Sequence, residues 1–263
     1  MLIERTLLVL TRIFLFVFIA GISGCMHTYY TPNMHQTPLL QQKGEAAFTA
    51  ALSTGEQVAA VEVAGAYALS DHIGIMVNAS RGMGILTEQI NDSVNEEGTR
   101  RYLVELGAGY FKTFAGKGVF EVYGGSSLGS IYNYYDTQEL SYSTVKFNRF
   151  FIQPGIGRKG KNFDCAFSLR FASVYYYSIN PHNVGPVASL DADALQLLRK
   201  DRFYLLAEPA FTFRVGFKAI KFQVQTGYSI GVGAKRIHQD NINFNTGISV
   251  NLFSKSLVQD RPE

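Results

Sequence analysis

Residues near the C-terminus alternate between apolar and polar side chains, from Asn241 to Phe253. In an extended strand, neighbouring side chains point to opposite faces of the sheet. One face carries the apolar set Ile242, Phe244, Thr246, Ile248, Val250 and Leu252. The other face carries Asn243, Asn245, Gly247, Ser249 and Asn251. This pattern predicts a strand with one apolar side and one polar side.

The same alternation recurs along most of the chain and is clearest between Phe163 and Ala172. There, apolar side chains alternate with a set that contains Asp164 and Arg170. The core of a soluble protein does not accept such charges without partners. A sheet that turns its apolar side toward hydrocarbon and its polar side toward a narrow lumen suits both sets. We therefore predict an all-β fold, an antiparallel up-and-down transmembrane β-barrel of the bacterial outer-membrane type.

Turn-rich segments divide residues 45–253 into about ten predicted strands. After the first hairpin, the predicted connections alternate between short and long. The longest covers about Ser178 to Lys200, and its part from Asp191 to Leu198 is predicted to form one or two helical turns. Bacterial barrels place short turns in the periplasm and longer loops outside. The pattern therefore predicts periplasmic chain ends, with residues 254–263 forming a periplasmic tail.

The N-terminal residues have the features of a secretory signal. Basic residues precede an apolar run from Ile13 to Ile22, which is short for a membrane span. The segment Ile22-Ser23-Gly24-Cys25 resembles the lipobox of bacterial lipoproteins, although leucine is commoner than isoleucine at its first position. The resemblance implies that residues 1–24 are removed and that Cys25 is acylated, with palmitate among the acyl groups. The alternative is an ordinary cleaved signal in which Cys25 is incidental.

Residues 25–44 contain Pro32 and Pro38 and show no periodicity, so we predict an extended tether between the lipid and the barrel. Some outer-membrane lipoproteins carry an acidic run after the cysteine as a surface-export tag. This segment has no such run, which favours an anchor in the inner leaflet. With Cys25 acylated, Cys165 has no intramolecular partner, and its apolar phase predicts a packing role.

The last strand resembles the assembly signal of outer-membrane proteins, in which a polar residue, a glycine, an apolar residue and an aromatic residue follow at fixed spacing. The matching residues are Asn245, Gly247, Val250 and Leu252, and Phe253 follows. Leu252 departs from the pattern, because an aromatic residue is usual there. The resemblance implies a location in the bacterial outer membrane. Together with the lipobox resemblance, it implies three partners: outer-membrane lipid, the barrel-assembly machinery and the lipoprotein-sorting machinery.

The polar phase of the predicted strands supplies charged and amide side chains to the lumen. These residues are Glu62, Glu105, Glu121, Gln153, Asp164, Arg170, Glu208, Arg214, Lys221 and Gln225. A barrel of about ten strands has an interior only slightly wider than one that its own side chains fill. Opposite charges at one depth are expected to pair there. We therefore predict a plugged polar lumen, and the alternative is a narrow path for ions or protons.

Two groups of loop residues are candidates for hydrolytic chemistry: His182 with Asp191 and Asp193, and His238 with Asp240. A carboxylate beside a histidine can activate water, but loop residues of these types usually face solvent. The sequence contains no metal-ligand spacing, phosphate loop or nucleophile motif. The prediction is therefore a non-enzyme without cofactor or metal.

The favoured function is that of a structural, binding or accessory component of the cell envelope with an unknown protein partner. A formal charge of +3 without a basic run does not indicate nucleic-acid binding. Tyrosines cluster at the predicted outer rim, where they suit an aromatic belt or a docking surface. They are Tyr132, Tyr134, Tyr135, Tyr142, Tyr175, Tyr176 and Tyr177. A further interpretation, a lipid-tethered soluble barrel of the lipocalin type, requires the apolar side chains to point inward.

Overall fold

The computed structural model describes residues 27–90, 93–185, 188–217, 219–233 and 236–252. The strands in this part of the chain are β1 (Ala46–Thr54), β2 (Ala59–Ala68), β3 (Ile73–Ile90), β4 (Ser93–Phe114), β5 (Gly118–Tyr134), β6 (Tyr142–Lys159), β7 (Phe163–His182), β8 (Phe203–Phe217), β9 (Ile220–Tyr228), β10 (Ile230–Val232) and β11 (Ile242–Leu252). One helix, α1 (Ser189–Lys200), lies between β7 and β8. The predicted signal segment, Cys25, Phe253 and the predicted tail lie outside the described residues.

The sheet closes on itself. Strand β1 pairs antiparallel with β2 on one side and with β11 on the other. Strands β9 and β10 are separated only by Ser229 and both pair with β8, so together they act as one interrupted strand. The described part of the chain therefore forms a closed antiparallel barrel of ten strands. The predicted fold class and strand number are confirmed.

The two faces of the sheet follow the alternation in the sequence. Val61 is 57% exposed on the outside of the barrel, whereas its neighbour Glu62 is fully buried inside. Likewise Phe171 is 48% exposed and Arg170 is fully buried. A barrel with an apolar outer face and a charged interior requires hydrocarbon around it. The lipocalin-like interpretation is therefore wrong, because its core would need the apolar side chains inside.

The barrel has two different ends. The short turns at residues 69–72, 115–117 and 160–162 lie at one end, which we call the short-turn end. The end of β3, the start of β4, the β5–β6 loop, α1 and residues 236–241 lie at the other, the long-loop end. No helix among the described residues is long and apolar enough to cross a membrane.

The strands extend further at the long-loop end than the sequence predicted. The polar residues from about Gly84 to Gly98 predict a long loop, but β3 continues to Ile90 and pairs with β4 from Ser93 onward. Backbone pairing between two adjacent strands needs no apolar face, so the hairpin continues beyond the end of the alternation. In the longest connection, α1 contains the predicted helical turns.

Candidate functional site: the filled lumen

An N-terminal segment, residues 27–44, runs through the lumen of the barrel. At the long-loop end, the His27 N–H donates to Asp191 of α1 at 3.2 Å. Met34 lies at mid-depth, beside the strand walls. At the short-turn end, the Gly44 N–H donates to a carbonyl oxygen of β2 at 2.9 Å. The predicted tether is therefore corrected for these residues, because they fill the barrel and do not lie outside it.

The start of this segment and the end of the last strand lie at opposite ends of the barrel. His27 lies at the long-loop end, whereas Ala46 and Leu252 pair with each other at the short-turn end. The side chains from His27 to Leu40 are all buried inside the barrel. Those exposed by 1% or less include Tyr29, Tyr30, Met34, Leu39 and Leu40. The segment thus crosses the barrel once, from end to end.

Side chains of the barrel wall pair with the backbone of the segment. Gln225 accepts from the His35 N–H and donates to the His35 carbonyl oxygen, both at 2.8 Å. Glu62 accepts from the Met34 N–H at 2.7 Å. Further wall residues that donate to carbonyl oxygens of the segment are Asn78, Arg101, Asn133, Gln153, Lys159, Tyr176 and Asn243.

These contacts give the polar wall a physical role. An extended chain usually satisfies its backbone groups by joining a sheet. In this lumen, amides and charged groups of the wall take the place of a neighbouring strand. A buried polar group left without a partner costs roughly 1–3 kcal/mol, so each contact favours the threaded arrangement. The lumen is therefore a tunnel that binds an extended chain through its backbone.

Four charged wall residues form a buried cluster at mid-depth. Arg149 donates from Nη2 to Glu105. Nη2 of Arg170 lies 3.6 Å from Oε1 of Glu105, and Nη1 of Arg170 lies 3.7 Å from Oε2 of Glu208. All four side chains are exposed by 1% or less. Charges at this depth need partners, because their desolvation is expensive.

The threaded segment completes this cluster. The Asn33 side-chain oxygen accepts from Arg149 at 2.7 Å and from Arg170 at 2.9 Å. The Tyr30 hydroxyl accepts from Arg149 at 2.8 Å and donates to Glu208 at 2.7 Å. Asn33 and Tyr30 therefore provide hydrogen-bond partners for both arginines and for one oxygen of Glu208. The side chains of the segment, and not only its backbone, are matched to this wall.

A second set of charges lies near the short-turn end. Lys221 donates to Asp164 at 2.6 Å, and Lys159 donates to Glu45, which precedes β1. Glu121 accepts from a backbone N–H of the threaded segment at 3.1 Å. These pairs hold the point at which the segment leaves the lumen and enters the first strand.

The structure places all ten predicted lumen residues inside the barrel, each exposed by 4% or less. Three further charged residues of the wall, Arg101, Arg149 and Lys159, were missed. They stand in the same phase of their strands as predicted lumen residues, so the alternation contains the signal for them. The threaded segment has no periodicity, and no comparable signal marks it.

At the long-loop end, α1 and the last connection hold the start of the segment. The Tyr29 hydroxyl donates to Asp191 of α1 at 2.6 Å. The Tyr29 N–H donates to the His238 carbonyl oxygen at 2.8 Å, and Nδ1 of His238 lies 2.8 Å from the His27 carbonyl oxygen. Leu195 and Leu198 of α1 are buried beside this contact. The loops therefore close over the segment.

Two of the candidate catalytic residues, Asp191 and His238, both bond to His27 of the threaded segment. The His182 ring stacks on Tyr142 with 5.0 Å between ring centroids. Asp193 is exposed on α1, whereas Asp191 and His238 bond to the threaded segment. These contacts hold the loops in place. Within the described residues, no group of three His, Cys, Asp or Glu side chains is positioned to hold a metal ion.

The residues of the predicted assembly signal lie on β11, apart from Phe253, which is outside the described residues. Asn245 points into the lumen and donates to Gln225 at 3.2 Å. A Cβ at Gly247 would lie 2.2 Å from the Ala50 carbonyl oxygen, so glycine permits close packing of β11 on β1. Val250 and Leu252 pair with β1 at the same seam. Recognition of these residues by the assembly machinery stays a prediction.

The tyrosines of the predicted outer rim divide between the two faces. Tyr135 and Tyr176 are fully buried inside the barrel. Tyr132 and Tyr142 lie outside, with 5.5 Å between ring centroids, and the guanidinium of Arg100 lies 5.7 Å from the Tyr132 ring. We call Tyr132, Tyr134, Tyr142 and His182 the outer aromatic cluster.

Asp240 lies between the β1–β2 turn and the threaded segment. Its carboxylate accepts from the Gln57 N–H at 3.1 Å, and its own N–H donates to the Tyr30 carbonyl oxygen at 3.0 Å. Burial raises the pKa of the Asp240 carboxyl from 3.8 to about 6. Between these two pH values the folded state binds more protons than the unfolded state. The contribution of Asp240 to stability therefore decreases as the pH rises through this range.

We expect Asp240→Asn to stabilise the folded barrel at pH 7 by about 2 kcal/mol, and to weaken the pH dependence between pH 4 and 7. The reason is that the amide keeps an acceptor for Gln57 and carries no charge to desolvate. Urea unfolding at a series of pH values measures both effects. Asp193→Asn, at an exposed position on α1, is the matched control and should leave the profile unchanged. Identical profiles for Asp240→Asn and the wild type would contradict the assignment.

Comparison with known proteins identifies no family. No family model matches the chain, and no curated protein matches it significantly. An outer-membrane channel from Pseudomonas putida F1 is 10% identical with a TM-score of 0.42, and covers 84% of this chain and 100% of its own. The outer-membrane protease OmpT from Escherichia coli is 10% identical with a TM-score of 0.39, and covers 80% and 94%. OprG from Pseudomonas aeruginosa is 8% identical with a TM-score of 0.35, and covers 83% and 100%.

Proposed function

We propose that this protein is a lipid-anchored barrel of the bacterial outer membrane. With its lumen closed, it would serve as a structural, binding or accessory component of the cell envelope. One observation carries the proposal: residues 27–44 occupy the lumen and bond to its wall along their length. A barrel filled in this way has no path for water through its lumen. The protein would therefore act through its loops, its turns and its outer surface.

Two kinds of observation support the outer-membrane location. The outward side chains are apolar, and hydrocarbon is the surrounding that such a barrel needs. The N-terminal sequence resembles a secretory lipoprotein signal, and β11 resembles the outer-membrane assembly signal. The proposed partners are therefore outer-membrane lipid, the lipoprotein-sorting and barrel-assembly machineries, and an envelope protein that contacts the loops or turns.

The two alternative functions have weaker support. A narrow water-filled path for ions or protons requires the segment to leave the lumen, although buried contacts hold it at both ends. A hydrolase requires histidine and acid side chains to converge on a substrate, but Asp191 and His238 already bond to the segment. We therefore propose that the protein is neither an enzyme nor a channel.

A bilayer measurement tests this proposal. We expect the folded wild-type protein to give no resolved current steps in planar lipid bilayers, because the threaded segment leaves no continuous water column. Heat-modifiable gel migration and carbonate-resistant membrane association check in parallel that the barrel is folded and inserted. A general porin in the same bilayers is the positive control. Steady ohmic current from the folded wild type would contradict the closed lumen.

A further inference from the structure

We propose that the barrel binds an anionic phospholipid of the periplasmic leaflet at its short-turn end, on the outer face of strands β4 to β7. The phosphate of the lipid lies among basic side chains of two neighbouring turns, and one acyl chain lies in a groove beside them. This inference rests on the proposed function, because it needs a barrel that spans the outer membrane with its short turns in the periplasm.

The first feature behind the proposal is a basic surface at the β4–β5 and β6–β7 turns. Residues 111–120 and 156–163 contain five basic residues and no Asp or Glu. Lys159 points into the lumen, where it donates to Glu45. The other four side chains are exposed, and we call them the basic surface: Lys112, Lys117, Arg158 and Lys161.

The fold supplies no counter-ion to the basic surface. The acids nearest to it in the sequence, Glu121 and Asp164, are buried and face the lumen. At the long-loop end, by contrast, the exposed Arg100 donates to Glu139 at 2.6 Å. Among the residues that the structure describes, no ion pair joins the basic surface to a carboxylate. An anionic ligand from outside the chain provides the missing charge.

Backbone pairing brings three of these cations together. Arg158 pairs with Gly118 across the β5–β6 ladder, and Lys117 directly precedes Gly118. The Lys159 N–H donates to the Lys117 carbonyl oxygen at 2.9 Å, and Lys161 lies in the turn that follows. Paired strands are only about 4.8 Å apart, so these long side chains can meet at one phosphate. A guanidinium and ammonium groups are the usual donors to phosphate oxygens.

The second feature is a groove on the outer face beside the basic surface. Its volume is about 520 Å³, and its lining includes Phe114, Gly118, Ile156, Arg158 and Cys165. Gly118 pairs with Phe114 on one side and with Arg158 on the other. A Cβ on Gly118 would lie 2.6 Å from the Phe114 ring, so a larger residue would push the ring aside. The groove therefore depends on the absence of a side chain at this position of β5.

Charge and shape together favour a phospholipid over a soluble anion. Phe114 and Ile156 are exposed on the apolar outer face, so the groove opens toward hydrocarbon. Ile156 lies two residues deeper along β6 than Arg158, which places the cation at the rim of the groove. An acyl chain fills such a groove while its phosphate remains at the turns. A soluble anion would occupy the basic surface and leave the groove without an apolar partner.

Spin-labelled lipids test the proposal. The full chain is folded into phosphatidylcholine vesicles with a trace of phosphatidylglycerol or phosphatidylcholine labelled on an acyl chain, and electron paramagnetic resonance measures the immobilised label. We expect the wild type to bind phosphatidylglycerol roughly tenfold or more over phosphatidylcholine, because each basic side chain beside anionic lipid contributes about fivefold. The triple variant Lys117→Gln, Arg158→Gln, Lys161→Gln should lose this preference.

Two further variants separate charge from shape. The matched control replaces three exposed cations near the long-loop end, Lys146→Gln, Lys200→Gln and Arg202→Gln, and should keep the preference. Cys165→Phe fills the groove and leaves the basic surface unchanged, and it should weaken the binding of phosphatidylglycerol. In detergent without phospholipid the replaced cations face water, so their loss should not impair folding. Heat-modifiable migration checks this for every variant.

Each other outcome has a defined meaning. Equal immobilisation of both lipids by the folded wild type overturns the proposal, as does a preference that the triple variant retains. Loss of the preference in the long-loop control as well would show a general effect of charge without a site. Release of the label by glycerol phosphate, or full binding by Cys165→Phe, would show that a soluble anion is the ligand. A wild type that carbonate extracts from the vesicles would instead contradict the proposed function.

Discussion

Deletion of residues 27–40 is expected to convert a silent barrel into a conducting one. The deletion removes the backbone groups that Glu62 and Gln225 hold, together with the side chains that complete the central arginine cluster. Water then has to solvate these wall groups, because buried polar groups do not stay without partners. The lumen becomes a continuous water column. Planar-bilayer recordings should change from no resolved steps to steady open-channel current.

A peptide added in trans is the control for this experiment. A synthetic peptide with the sequence of residues 27–40 should block the current of the deletion variant, because the wall that binds it is intact. A scrambled peptide of the same composition should block less well, since Tyr30 and Asn33 would no longer meet the cluster. The idea fails if the deletion variant folds, as shown by heat-modifiable migration, and remains silent.

Arg170→Gln is expected to lower the free energy of unfolding by about 3–5 kcal/mol, because it leaves buried carboxylates with too little positive charge. Arg170 is fully buried and lies 3.6 Å from Glu105 and 3.7 Å from Glu208. Urea unfolding in detergent measures the change. Since the chain contains no tryptophan, circular dichroism or the heat-modifiable gel band is the suitable readout.

The matched control is Arg158→Gln, the same chemical change at an exposed position near a short turn. Exposed substitutions of this kind usually change stability by no more than about 0.5 kcal/mol. A loss of less than about 1 kcal/mol in Arg170→Gln would contradict the assigned role, since even one unpaired buried group costs roughly that much.

Most of the barrel could be predicted from the sequence. Strict alternation between apolar and polar residues determined which side of each strand faces outward, and it placed Glu62, Arg170 and Glu208 inside. Arg101 and Arg149 occupy the same inward phase, although they are not among the ten residues predicted for the lumen. A period of two is a local property of an extended chain, so it can be found without knowing which strands are neighbours. Similarly, the alternation of short and long connections predicted the ten-stranded topology.

Contacts at the long-loop end were less accessible from the sequence. The pairing of β3 with β4 beyond the alternating part depends on backbone hydrogen bonds, which form irrespective of side-chain polarity. Asp191 was a candidate for chemistry because it lies in a loop beside another acid and a histidine. Its actual partners, His27 and Tyr29, are distant in the sequence and could not be chosen by spacing.

The sequence by itself therefore determined a closed barrel with a polar interior, because side-chain alternation and turn spacing are written along each strand. Only the tertiary structure decided what fills that interior. Residues 27–44 have no period, since their backbone is satisfied by side chains from strands on all sides and not by one neighbouring strand. Such a segment has the composition of a loop, and it becomes a plug only where Gln225, Glu62 and the central arginines are brought around it.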